Sequence, residues 1–164
     1  MQNLEALSVN LTQQQLLAEL SKLPPEQVLE LIMMIRTGVN EKIQFATRHL
    51  KVYAKCTSAL TTFLQIACSE QPLGARQLAS ILIDRSLKHT FLELPDESRQ
   101  LIRSSLLERY FKEPERLMRR SLAHNITMVV RYQNDLNKPW EELLKILANQ
   151  FANGDPLLTG VSLI

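Results

Sequence analysis

The sequence is poor in glycine, cysteine and aromatic residues. Only 4 of its 164 residues are glycine and 2 are cysteine, and aromatic side chains make up 5% of the chain. No stretch alternates apolar and polar residues with period two, so no β-strand is predicted. Cys56 and Cys68 have neither CxxC spacing nor a histidine partner nearby. This argues against a zinc site and favours reduced thiols in a cytosolic setting.

The chain also lacks the motifs that are typical of enzymes. It has no glycine-rich phosphate loop, no HExxH zinc motif and no GxSxG nucleophile motif. His49, His89 and His124 lie in different repeats, which could still align on one face of a solenoid. We interpret them as surface or groove residues rather than a catalytic or metal-binding trio. We therefore predict that the chain is not an enzyme and has no catalytic residue, no cofactor and no metal. A helical enzyme fragment is the least favoured alternative.

Strong charge of one sign is absent as well. The formal net charge is +2, whereas a nucleic-acid-binding protein typically has clustered basicity. The basic run at Arg116–Arg120 is interpreted as a solvated helix face. The longest uncharged apolar-rich stretch, CTSALTTFLQIAC, is too short to cross a bilayer, and the first ten residues do not resemble a secretory signal. We predict neither nucleic acid nor membrane as a partner.

What the sequence does contain is a series of apolar stripes with helical spacing. Apolar residues make up 45% of the chain, and most breaks between stripes contain a proline suited to a first helical turn. Thr12 and Asn40 are predicted N-caps, and Gly38 is a predicted helix stop. The prolines that open predicted helices are Pro24, Pro25, Pro72, Pro95, Pro114, Pro139 and Pro156.

These helices fall into pairs, and the second helix of each pair carries a small residue in its first half. Ala46, Ala79 and Ala123 mark this position at intervals of roughly 40 residues, a period typical of HEAT or armadillo repeats. Alanine allows the backbone to approach a neighbouring helix closely. The fold class predicted is all-α, an α-solenoid of about three and a half HEAT-type antiparallel helix pairs, truncated at the C-terminal end. A non-repeating helical bundle is the alternative.

The predicted organisation is a single N-terminal segment, 1–164, of a longer solenoid. An extra N-terminal helix occupies 1–22, and a partial repeat occupies 137–164. The uncovered apolar edge of that last unit offers a route to dimerisation. The three repeats in between are predicted at 23–56, 57–93 and 94–136.

Several segments resemble the N-terminal repeats of importin-β-type nuclear transport receptors (karyopherins-β), with the importin-4 and importin-5 branch the most similar. RQLASILIDRSL is similar to an Arg-Gln-Leu-Ala-rich helix of the second repeat, and LPDESRQLIRSSLL to the helix that follows. KPWEELLKIL, with Trp140, matches a Trp-x-Glu-Leu-Leu helix opening, and EKIQFATRHLKVY resembles a first-repeat helix more loosely. The resemblance covers roughly Leu23 to Ile164. Two features depart from the family pattern. Residues 1–20 add a helix that the pattern does not require, and family members are several times longer than this chain.

The resemblance implies protein binding. Family members bind the GTPase Ran in its GTP state through the second helices of their first repeats, carry protein cargo and contact nucleoporins, and they shuttle between cytoplasm and nucleus. The resemblance therefore implies that this chain is an N-terminal segment that contributes to Ran-GTP binding and to protein import through its concave face. The alternative is a HEAT-repeat scaffold or adaptor unrelated to transport.

The candidate Ran contacts are polar residues that lie outside the apolar stripe of each predicted second helix. Mixed charge along these positions favours a charged protein partner over a phosphate backbone. Ordinary solvation of polar helix positions is the alternative interpretation for each of them. The candidates are Gln44, Arg48, Lys51, Gln77, Asp84, Lys88, Arg120, His124 and Arg131.

Overall fold

The computed structural model describes residues 12–153, and 1–11 and 154–164 lie outside the described part. The beginning of the predicted N-terminal helix and the tail helix predicted at Pro156 fall on those outer residues. Between them the chain forms eight α-helices and no strand, which confirms the predicted all-α fold of HEAT-type helix pairs. No described helix is both long and apolar enough to cross a membrane. The helices are α1 (Gln13–Leu20), α2 (Pro25–Ile35), α3 (Asn40–Tyr53), α4 (Ala59–Cys68), α5 (Leu73–Thr90), α6 (Asp96–Lys112), α7 (Arg116–Asp135) and α8 (Glu141–Asn153).

The helix ends follow local chemistry. Thr12 caps α1 as predicted, in a capping box with Gln15 in which each side chain bonds the backbone N–H of the other residue. Gly38 has a φ of 75°, a left-handed conformation that glycine adopts without steric cost. The predicted cap at Asn40 is wrong. Val39 is extended and occupies the N-cap position, so that Asn40 is already the first helical residue.

Interhelical contacts divide the chain into two units, with the boundary between Pro95 and Asp96. In the first unit α2 packs against α3 and α4 against α5, and α2 also contacts both α4 and α5. The short α1 packs against α3. Tyr53 and Phe63 meet edge to face with ring centroids 5.5 Å apart, and the Tyr53 hydroxyl donates to Thr62 Oγ1 at 3.0 Å. Two stacked helix pairs therefore share one core.

In the second unit α6 packs against α7. A 3₁₀ turn at Phe91–Glu93 ends the first unit just before this pair. The core of the second unit is aliphatic, and Trp140 is buried in the segment before α8. The buried aliphatic side chains include Ile102, Leu106, Met118, Leu122, Ile126, Val129 and Leu143.

The small residues that suggested the repeat are all buried. Ala46 and Ala79 are fully enclosed and Ala123 is 5% exposed, as expected where another element approaches the helix closely. The pairs α2–α3, α4–α5 and α6–α7 fall within the three segments proposed as repeats. Their identity as repeats of one longer solenoid stays a prediction.

Candidate protein-interaction surface

The nine candidate contact residues all lie on the second helix of a pair. The trios on α3 and α5 belong to the first unit and the trio on α7 to the second. In each trio neighbouring members are three, four or seven positions apart, so that each trio shares one face of its helix. The members are Gln44, Arg48 and Lys51 on α3, Gln77, Asp84 and Lys88 on α5, and Arg120, His124 and Arg131 on α7.

Seven of these nine side chains are exposed, whereas Gln77 and Asp84 are half-buried. One carboxylate oxygen of Asp84 is enclosed. The other seven positions offer polar groups to a partner. Their charged members are all cationic, because Asp84, the one acidic candidate, is half-buried, so the mixed charge expected from the sequence is not exposed. Their role in binding Ran stays a prediction.

Two members of the α3 trio line a groove between α1 and α3, which we call the α1–α3 groove. It has a volume of about 300 Å³. Among residues 12–153, three cationic side chains and no acidic side chain line it. Its lining residues are Gln13, Leu16, Arg48, Lys51, Val52 and Lys55.

Sequence reasoning missed most of this groove. Arg48, Lys51 and Val52 follow one another at helical spacing on one face of α3, and Lys55 continues this spacing in the turn after the helix, so the pattern could have grouped them. The wall formed by Gln13 and Leu16 of α1 cannot be predicted from local spacing, because it depends on how α1 packs against α3.

The interpretation of His49 as a surface or groove residue is wrong, because this side chain is buried on α3 and has a structural role. Its Nδ1 lies 2.7 Å from the carbonyl oxygen of Phe45. The centroids of the His49 and Phe45 rings are 4.0 Å apart. Desolvation lowers the pKa of His49, with a smaller contribution from the Arg48 charge, while the hydrogen bond to Phe45 acts in the opposite direction. The neutral imidazole therefore donates its Nδ1 proton to this carbonyl. His89 and His124 are exposed.

No site of metal or thiol chemistry emerges within 12–153. No group of three or more His, Cys, Asp or Glu residues there could hold a metal ion. Both cysteines are free thiols, as predicted. Burial raises the pKa of the Cys56 thiol to about 11, which leaves it protonated and unreactive at neutral pH.

Comparison with known proteins gives one match. Residues 46–112 match the family model of the importin-beta N-terminal domain. The matched segment begins in α3, ends with α6 and covers less than half of the chain. It includes Arg48, Lys51 and the α5 trio, but not Gln44 or the α7 trio. No curated protein and no solved structure matches the chain. The segment 46–112 is thus similar to the N-terminal domain of importin-β-type transport receptors, and the match favours no branch of them.

Proposed function

We propose that this chain is an N-terminal segment of an importin-β-type nuclear transport receptor that contributes to binding Ran in its GTP state. The observation that carries the proposal is the family match over residues 46–112, which covers all of α5 and the larger part of α3, two of the three helices with candidate contacts. The function is protein binding, and no catalytic step belongs to it.

The exposed second-helix residues support this proposal physically. Arg48, Lys51 and Lys88 present positive charge on the first unit, and Arg120 and Arg131 do so on the second. Exposed charges of this kind accelerate association with an oppositely charged protein and select against partners of the same sign. A single isolated contact of this type contributes little, so that binding would depend on several of them together.

The wider role follows from the same proposal. As part of a longer receptor, the chain would take part in import of protein cargo, contact nucleoporins and shuttle between cytoplasm and nucleus. In such a receptor the helix pairs would continue as a solenoid whose second helices line a concave face. We include dimerisation through an uncovered terminal repeat as a further proposal.

The deciding experiment is an NMR titration of the isotopically labelled chain with Ran locked in its GTP form and, separately, in its GDP form. We expect shifts of α3 and α5 resonances with the GTP form only. The variant Lys88→Glu on α5 should weaken binding. The control variant Lys42→Glu should not, because Lys42 is an exposed residue of α3 outside the candidate set. A folded chain that gives no response to the GTP form would contradict the proposal.

A HEAT-type scaffold unrelated to transport is the second candidate. The observation in its favour is the limited extent of the match, which leaves α1, α2, α7 and α8 outside. Such a scaffold would bind partners through its helix pairs without regard to the nucleotide on Ran. Equal binding of both nucleotide forms, or of neither, would favour it.

A further inference from the structure

We propose that the α1–α3 groove binds an acidic peptide segment of a partner protein, anchored by one large apolar side chain. This proposal does not need the Ran interpretation, because Gln13, Leu16, Val52 and Lys55 lie outside the candidate Ran set. It concerns only the first unit, where both walls of the groove lie.

Charge is the first argument. Six residues of the described part of the chain line the groove. Three of them, Arg48, Lys51 and Lys55, are cationic and exposed, and none of the six is acidic. Lys51 and Lys55 form no ion pair with any residue between 12 and 153. Their ammonium groups are therefore available to carboxylates of a ligand, and a charge-assisted hydrogen bond is stronger than a neutral one.

The floor of the groove is the second argument. Leu16 and Val52 are almost fully buried at 3% and 8% exposure, so the floor is apolar and held by the packing of α1 against α3. The aliphatic stems of Arg48, Lys51 and Lys55 extend this apolar surface towards the charged rim. A partner must therefore supply an apolar group at the centre and negative charge around it.

Size and shape select a peptide. A volume of about 300 Å³ lies at the lower limit for small-molecule sites and suits a single Leu, Met or Phe side chain. None of the described lining residues is aromatic, so they offer no surface on which a base could stack, as single-stranded nucleic acids require. The ligand favoured by these features is an acidic stretch with one apolar anchor.

The dipole of α1 agrees with this assignment. Gln13 is the first residue of α1, whose amino-terminal end carries positive partial charge. Lys51 lies in the last turn of α3, where its charge also offsets the negative end of that helix. The amino-terminal end of α1 and the three cations favour an anionic segment across the groove, and Lys51 offsets the opposing charge at the end of α3.

The test is fluorescence anisotropy of a labelled peptide of Asp and Glu residues with one central Phe, added to the full chain. We expect saturable binding that weakens as salt rises, because exposed charges are screened. Lys55→Glu should weaken binding by about tenfold. Lys42→Glu, the same charge reversal at an exposed position of α3 outside the groove, should change it by less than about twofold.

Two further variants and probes make the test specific. Gln13→Trp places a bulky ring at an exposed groove position without touching the core, and it should abolish binding while the circular dichroism spectrum stays unchanged. Replacing the central Phe of the peptide with Ser should also remove most of the affinity. Binding that persists in Lys55→Glu and Gln13→Trp, or that a single-stranded oligonucleotide reproduces equally well, would overturn the proposal. If the chain binds the peptide but does not respond to Ran, the groove proposal is supported and the proposed function is contradicted.

Discussion

At the scale of single residues, the second unit contains a buried charge whose role is stability. The Glu113 side chain is completely buried just beyond the end of α6. Its carboxylate accepts a hydrogen bond from Arg109 Nε at 3.0 Å and another from the backbone N–H of Glu115 at 3.2 Å. It thereby joins the end of α6 to the turn that leads into α7.

We expect Glu113→Ala to lower the free energy of unfolding by about 3 kcal/mol, because it removes the buried carboxylate that accepts hydrogen bonds from Arg109 and from the backbone N–H of Glu115. Urea unfolding followed by circular dichroism measures this change. Glu108→Ala is the matched control, since its ion pair with Lys112 has the same four-residue spacing but is exposed at both ends. Equal destabilisation by both variants would contradict the argument.

The sequence shows the spacing of Arg109 and Glu113 but not their burial. The pair Glu108–Lys112 has the same separation in the same helix and lies on the surface. Only the packing around the end of α6 decides which pair is enclosed. Burial of a charge therefore could not be predicted here from the pattern alone.

At the scale of helices, close packing explains the small residues of the second helices. Ala79 is fully buried near the middle of α5, which packs against α4 and contacts α2. A larger side chain would force these helices apart or into strained rotamers.

We expect Ala79→Leu to lower the free energy of unfolding by about 2 kcal/mol. Ala18→Leu makes the same chemical change at an exposed position of α1 and should leave stability almost unchanged. Thermal unfolding of the two variants beside the unaltered chain provides the measurement. A tolerant Ala79→Leu would show that α5 is not tightly packed at this point.

A second link between elements connects the start of α6 with the segment before α8. The Asp96 carboxylate accepts hydrogen bonds from Lys138 Nζ at 2.7 Å and from Arg99. The bond from Lys138 is the main reason that the pKa of Asp96 falls from its ordinary 3.8 to about 2, and Arg99 adds to it. Because folding lowers this pKa, the interaction stabilises the fold above about pH 4 and is lost as pH falls towards 2.

Removing Lys138 should therefore move the pKa of Asp96 part of the way back towards its ordinary value. In Lys138→Met we expect NMR of the Asp96 carboxyl carbon to show this rise, with Arg99 preserving some of the shift. Asp96→Asn should flatten the loss of stability between pH 4 and 2 that this carboxylate causes. Glu97→Gln, an exposed change in the same helical turn, should leave that part of the pH profile as it is.

At the scale of the whole molecule, the candidate contacts with Ran are spread over both units. If they act as separate contacts with one partner, their effects on binding free energy should add. We expect Lys51→Glu, Lys88→Glu and Arg131→Glu each to weaken binding to the GTP form by a few fold, and the triple variant to weaken it by about the product. Isothermal titration measures these affinities, with Lys42→Glu as control. A single variant that abolishes binding would indicate one localised site instead.

The sequence predicted the helices better than it predicted the surfaces between them. Helical spacing and proline positions were sufficient for the all-α class and for Ala46, Ala79 and Ala123 as buried positions. They also placed all nine candidates on second helices. The α1 wall of the groove and the Asp96–Lys138 bond depend on contacts between distant segments, which no local pattern encodes.

The thiol of Cys56 lies beneath α1, with Sγ 3.9 Å from the carbonyl oxygen of Leu17, and it is 5% exposed. An alkylating reagent can reach this sulfur only when α1 moves away from the turn that follows α3, so the alkylation rate of Cys56 measures how often that opening occurs. A ligand that bridges both walls of the α1–α3 groove should slow the alkylation in proportion to occupancy. The native chain thus carries a built-in probe of α1 detachment, and mass spectrometry can follow it without any engineered label.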